Sequence, residues 1–119
     1  PHPNESVVQW NEFIKENNLK NCYLMIGKSI NELITISDLH IAHNCCTTIP
    51  EAMMNGKPTL ELQTGMSEKI FSKDHLNISD YTAISCEDMI EVIYNFINSN
   101  MPKKNTKTKE YYFKNTYNK

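Results

Sequence analysis

The residues able to do chemistry in this 119-residue chain gather in one stretch, His43 to Pro58, which reads HNCCTTIPEAMMNGKP. Three chemistries compete for it: a metal or thiol site, a phosphate cradle, and a capped helix. Metal ligation fits poorly. The four cysteines, Cys22, Cys45, Cys46 and Cys86, match no zinc spacing, and adjacent cysteines do not easily ligate one tetrahedral ion. A nucleophilic thiolate at a helix start has a field that lowers its pKa and a nearby base in His43, but no third orienting group. Cys45 and Cys46 therefore read first as small, half-buried fillers. A phosphate cradle fits better. A helix N-terminus offers unpaired N–H groups and about half a positive charge. Cys46, Thr47 and Thr48 would present those amides, and Pro50 is tolerated where first-turn N–H groups have no partner. Thr48-Ile49-Pro50-Glu51 also has capping-box spacing. Glu51 can thus bond back to its own cap or face a ligand, and spacing leaves both open.

These residues need elements to hold them. Ser6 to Gln9 has capping-box spacing, followed by Val7, Trp10 and Ile14 at helical intervals, which predicts a helix ending near Asn17-Asn18. Cys22 to Ile26 (CYLMI), closed by Gly27, predicts a short strand buried on both faces. Ser29 to Glu32 is a second capping box, opening a helix with Ile30, Leu33 and Ile34 inward. Leu39 to Ala42 predicts a strand and Thr48 to Asn55 a helix stopped by Gly56. Thr59 to Leu62 and Tyr81 to Ile84 predict two more strands. Ser85 caps a last helix with Met89, Val92, Ile93 and Phe96 on one face. Strand and helix alternate, so the expected class is α/β, a parallel sheet built from βαβ units with helices on both faces. Ligands of such sheets sit beyond the carboxyl ends of the strands, where His43 to Thr48 falls.

Length and composition agree with one domain at 1–100 and a basic tail at 101–119. Residues 102–119 hold six lysines and one glutamate, a local +5, leaving about −7 for the rest of a chain of net charge −2. A nucleic-acid role has no electrostatic footprint in that balance. No apolar run approaches the roughly 20 residues of a membrane span, and no signal peptide opens the chain. The cysteines read as reduced thiols of a cytoplasmic protein. The tail reads as a solvated end able to touch an anionic membrane or a partner domain. The start Pro1-His2-Pro3, without methionine, reads as part of a longer polypeptide. Lys28 reads as solvated, His40 as structural, Met53-Met54 as core, and His75 stays unassigned.

The succession SINELITISDLHIAHNCCTTIPEAMMNGKPTLEL resembles the nucleotide-sugar-binding half of glycosyltransferases of the B type (GT-B), which have two Rossmann domains. The likeness is carried by Ser37-Asp38, the strand to His43, the loop Asn44 to Thr48, Glu51-Ala52, Gly56-Lys57-Pro58 and the strand Thr59 to Leu62. Thr64 to Ile70 and Asp88 to Ile97 resemble the loop and late helix that follow. His2-Pro3-Asn4-Glu5 with Trp10 looks like the His-Pro-x-Glu segment of bacterial surface-carbohydrate and capsule polysaccharide members. The likeness spans about residues 2 to 98. It departs at Cys45-Cys46, where serine or glycine is usual, and at Pro50, where a small residue is usual.

The resemblance implies a Rossmann-like, nucleotide-sugar-binding domain, one half of a transferase of polysaccharide biosynthesis. It would act in the cytoplasm or at the inner membrane face, without a metal or other cofactor, the nucleotide-diphosphate sugar being the donor substrate. By that likeness His43, Asn44, Cys46, Thr47, Thr48 and Glu51 bind the donor: the turn holds the diphosphate and Glu51 accepts hydrogen bonds from ribose. His2 and His43 would face the reacting groups, while an N-terminal Rossmann domain supplies the carbohydrate-acceptor site and catalytic base. Two other readings share these residues. One is a non-hydrolysing nucleotide-sugar epimerase or polyol-phosphate transferase; the other is a non-catalytic binding module in which Glu51 only caps its helix.

Overall fold

The computed structural model describes residues 4–43, 46–64 and 78–99. It is an α/β protein whose described residues form four helices and a three-stranded, all-parallel open sheet. The elements are α1 (Val7–Glu16), α2 (Ile30–Ile36), β1 (His40–His43), α3 (Thr48–Met54), β2 (Thr59–Leu62), β3 (Tyr81–Ala83) and α4 (Cys86–Ile97). Strand order is β1-β2-β3, with His40 opposite Thr59 and Leu60 opposite Tyr81.

Local chemistry explains the helix ends. Ser6 accepts the Gln9 amide at 3.3 Å, and Ser85 accepts the Asp88 amide at 3.1 Å. At α2 the capping box closes both ways: the Glu32 amide donates to Ser29 Oγ at 3.2 Å, and the Ser29 amide donates to Glu32 Oε2 at 2.7 Å. At the end of α3 the Gly56 amide donates to the Met53 carbonyl and the Lys57 amide to the Ala52 carbonyl, both at 2.9 Å. That paired reversal needs a left-handed residue, and Gly56 supplies it at φ +68. Asn18 does the same after α1 at φ 51, with Leu19 donating back to Ile14.

The core lies where α3 covers β1 and β2, with α2 packed on α3. Ile34, Ile49, Ala52, Met53, Leu60 and Ala83 are its buried apolar residues. β2, flanked on both sides, buries Thr59, Leu60 and Glu61 in succession. α4 packs against β3 with Met89, Val92, Ile93 and Phe96 half-buried, the face its spacing predicts. α1 buries no residue; Trp10 and Phe13 meet edge to face instead, centroids 6.1 Å apart.

The expected strand Cys22 to Ile26 does not form. The segment is irregular, and Tyr23 and Ile26 are 77% and 62% exposed. A five-residue apolar run becomes a strand only when a neighbour pairs with it, and no described strand does so. Ile30, expected inward on α2, is also exposed, because Ile34 and half-buried Leu33 supply that helix's contact. No helix among the described residues is long and apolar enough to cross a membrane. His2, Asn44, Cys45, His75, most of the loop to Ile70 and the tail from 101 lie outside the described residues.

Candidate functional site

Parallel pairing brings the ends of β1 and β2 to one rim of the sheet, where His43 sits opposite Leu62. His43 is exposed there, and its Nε2 lies 2.8 Å from the hydroxyl of Thr64, two residues beyond β2. His40, three residues earlier, is half-buried with its Nε2 2.7 Å from Thr48 Oγ1. The same hydroxyl lies 3.1 Å from Cys46 Sγ. The two histidines of β1 therefore have different surroundings, one at the rim and one against the start of α3. Burial holds the His40 imidazole below its ordinary pKa, and the Glu51 charge pulls the other way.

The capping box expected at Thr48 to Glu51 is absent. The N-cap is Thr47, in right-handed helical backbone, and it makes no side-chain cap bond. Thr48 is already the first helical residue, and its hydroxyl meets His40 and Cys46 instead. Glu51, one turn in, is free of that duty. Its Oε2 is buried and has no hydrogen-bond partner among the described residues. An enclosed carboxylate oxygen without a donor is costly, so it is either strained or waiting for a donor. Glu51 lines an open cleft of about 320 Å³ with Asn31, Met54 and Asn55. The Asn55 amide group is turned to the Glu51 backbone carbonyl at 2.9 Å, not to the carboxylate.

Of the residues expected to bind a donor, His43, Cys46, Thr47, Thr48 and Glu51 cluster at the end of β1 and the first turns of α3. His43 points to Thr64, while Cys46 and Thr48 are joined to His40. His40, expected to be structural, meets Thr48, a partner that strand alternation does not reveal because it says which face a residue takes and not what waits there. Glu61, not singled out in the sequence, is a buried carboxylate in the central strand that accepts from Gln63 Nε2 at 3.1 Å. A glutamate between two leucines was the available signal. Lys28 is exposed and meets Glu32 at 3.9 Å, as expected of a solvated lysine. Among the described residues no three His, Cys, Asp or Glu side chains are grouped to hold a metal ion. No protein-family model, curated protein or solved structure matches the chain.

Proposed function

We propose that this chain is the donor-binding, Rossmann-like part of a B-type glycosyltransferase of surface polysaccharide synthesis, acting on a nucleotide-diphosphate sugar at the cytoplasmic side. The observation that carries the reading is Glu51 Oε2, enclosed and unpartnered one turn into the helix that follows β1. In this reading its missing donors are the ribose hydroxyls of the nucleotide. Two vicinal hydroxyls suit a carboxylate, which only accepts hydrogen bonds when ionised.

The diphosphate lies over the turn at Cys46, Thr47 and Thr48 and is held by backbone amides. The Thr48 hydroxyl is already engaged by His40 and contributes less. When an acceptor hydroxyl attacks the sugar, negative charge grows on the departing diphosphate. Fixed amides stabilise that charge without reorganising during the reaction. In this reading His43, exposed at the rim, exchanges its contact with Thr64 for one to the departing diphosphate as the charge develops. The acceptor site and catalytic base belong to the other Rossmann domain.

The test is a titration of the chain with UDP, GDP, CDP and CMP, followed by amide NMR shifts. One of the four should perturb Cys46 to Glu51, and Glu51→Gln should weaken that nucleotide by roughly 10- to 100-fold, the worth of a hydrogen bond to a charged group. Shifts that leave this turn untouched with all four nucleotides would sink the reading and favour a non-catalytic module. Sugar transfer by these 119 residues alone would overturn the assignment of the base to another domain.

A further inference from the structure

Behind the turn at the end of β1, three side chains form a connected line that the nucleotide reading does not use. Cys46 Sγ lies 3.1 Å from Thr48 Oγ1, which lies 2.7 Å from His40 Nε2. We propose that Cys46 is a thiol-modification site that reacts with small-molecule disulfides, its proton leaving through the Thr48 hydroxyl to His40. The base is therefore not His43, whose Nε2 is taken up with Thr64 on the outer rim.

The line works as a relay when Cys46 S–H donates to Thr48 Oγ1 and Thr48 O–H donates to His40 Nε2. That requires a neutral imidazole with its proton on Nδ1. Burial keeps the ring neutral near pH 7, and the Glu51 charge favours the imidazolium as it forms. In the reaction the thiol proton passes by way of Thr48 to Nε2, and the sulfur attacks one sulfur of the disulfide. A Cys46 S–S bond forms, the bond within the reagent breaks, and its second sulfur leaves as a thiolate that takes up a proton. Cys46 is oxidised and the leaving sulfur is reduced, so no further oxidant is needed.

Cys46 is half-buried, whereas Cys22 and Cys86 are exposed, so access alone would make Cys46 the slowest of the three. That inversion makes the inference testable. The full chain, carrying Cys45→Ser to remove the adjacent thiol, is exposed to oxidised glutathione near neutral pH without nucleotide. Adducts are then mapped by peptide mass spectrometry. Cys46 should react about tenfold faster than Cys22 or Cys86, short of the roughly 10²- to 10⁴-fold of full general-base catalysis because the imidazole is a weakened base. Thr48→Val should bring Cys46 to or below the rate of the other two, and Thr48→Ser should restore it. A Cys46 rate no higher than that of the exposed cysteines overturns the proposal, and so does an undiminished rate in a folded Thr48→Val chain.

A consequence for regulation rests on the nucleotide reading: an adduct at Cys46 would occupy the diphosphate turn and block binding. The two readings fail separately. Thiol rates are measured without nucleotide, and the nucleotide titration is done with reduced thiols.

Discussion

Glu51 separates the competing readings of this chain most cleanly, because a cap and a ligand carboxylate respond oppositely to the same substitution. A capping glutamate truncated to alanine costs up to about 1 kcal/mol, whereas glutamine keeps the cap. An enclosed, unpartnered carboxylate oxygen costs stability while it is present. Glu51→Ala should therefore leave urea stability unchanged or raise it by up to about 1 kcal/mol. A loss of that size would return Glu51 to a structural role. His40 makes a second prediction, and its sign follows from its depressed pKa. Below pH 6.5 the unfolded chain takes up a proton on His40 that the folded chain resists. This contribution is therefore complete above that pH and is lost as pH falls toward the lower folded value. His40→Asn should flatten the change in urea stability between about pH 7.5 and about pH 5.5; an equal slope in wild type and variant would contradict it. The sequence shows which residues gather at the turn, since strand ends and helix starts are local. It does not show that Thr48 spends its hydroxyl on His40, a contact created only when α3 folds back on β1.

At the scale of elements, capping chemistry made the helices legible. Ser6, Ser29 and Ser85 start the helices their spacing predicts, and Asn18 and Gly56 turn two of them off in left-handed backbone. Gly56→Ala meets no clash, since nothing lies within 4 Å of the added Cβ, yet it must hold φ +68. It should cost about 1–2 kcal/mol by thermal or urea unfolding, set by backbone conformation alone. Strands were less legible, because a strand exists only through its neighbours. Cys22 to Ile26 and Thr59 to Leu62 look equally strand-like as sequences, but only the second has strands on both sides. β2 and β3 are joined where both begin. The Thr59 amide and hydroxyl donate to Asp80 Oδ2 at 2.9 and 3.1 Å, and the Asp80 amide donates back to Thr59 Oγ1 at 2.9 Å. Asp80→Ala removes two of these three bonds at a buried threonine and should cost about 1–3 kcal/mol by urea unfolding. A neutral result would mean the register is set by the apolar faces alone.

For the whole molecule, the buried apolar centre formed by the described residues is small. Leu60, in the middle strand, is with Ile34 among the largest fully buried side chains of the described residues. Leu60→Ala should cost about 2–5 kcal/mol, a large share of the stability of a domain this size. A much smaller cost by urea unfolding would show that the outer helices contribute more than their exposed faces suggest. The sheet also divides its labour along its own length. The Thr59–Asp80 bracket lies at the amino ends of the strands, and the contact between His43 and Thr64 lies at the opposite rim. Mutational tolerance should divide in the same way. Changes at His43 or in the turn can alter what is recognised without disturbing strand alignment, and changes at Asp80 can alter durability without altering recognition. A protein arranged like this can acquire a new specificity without first losing its shape.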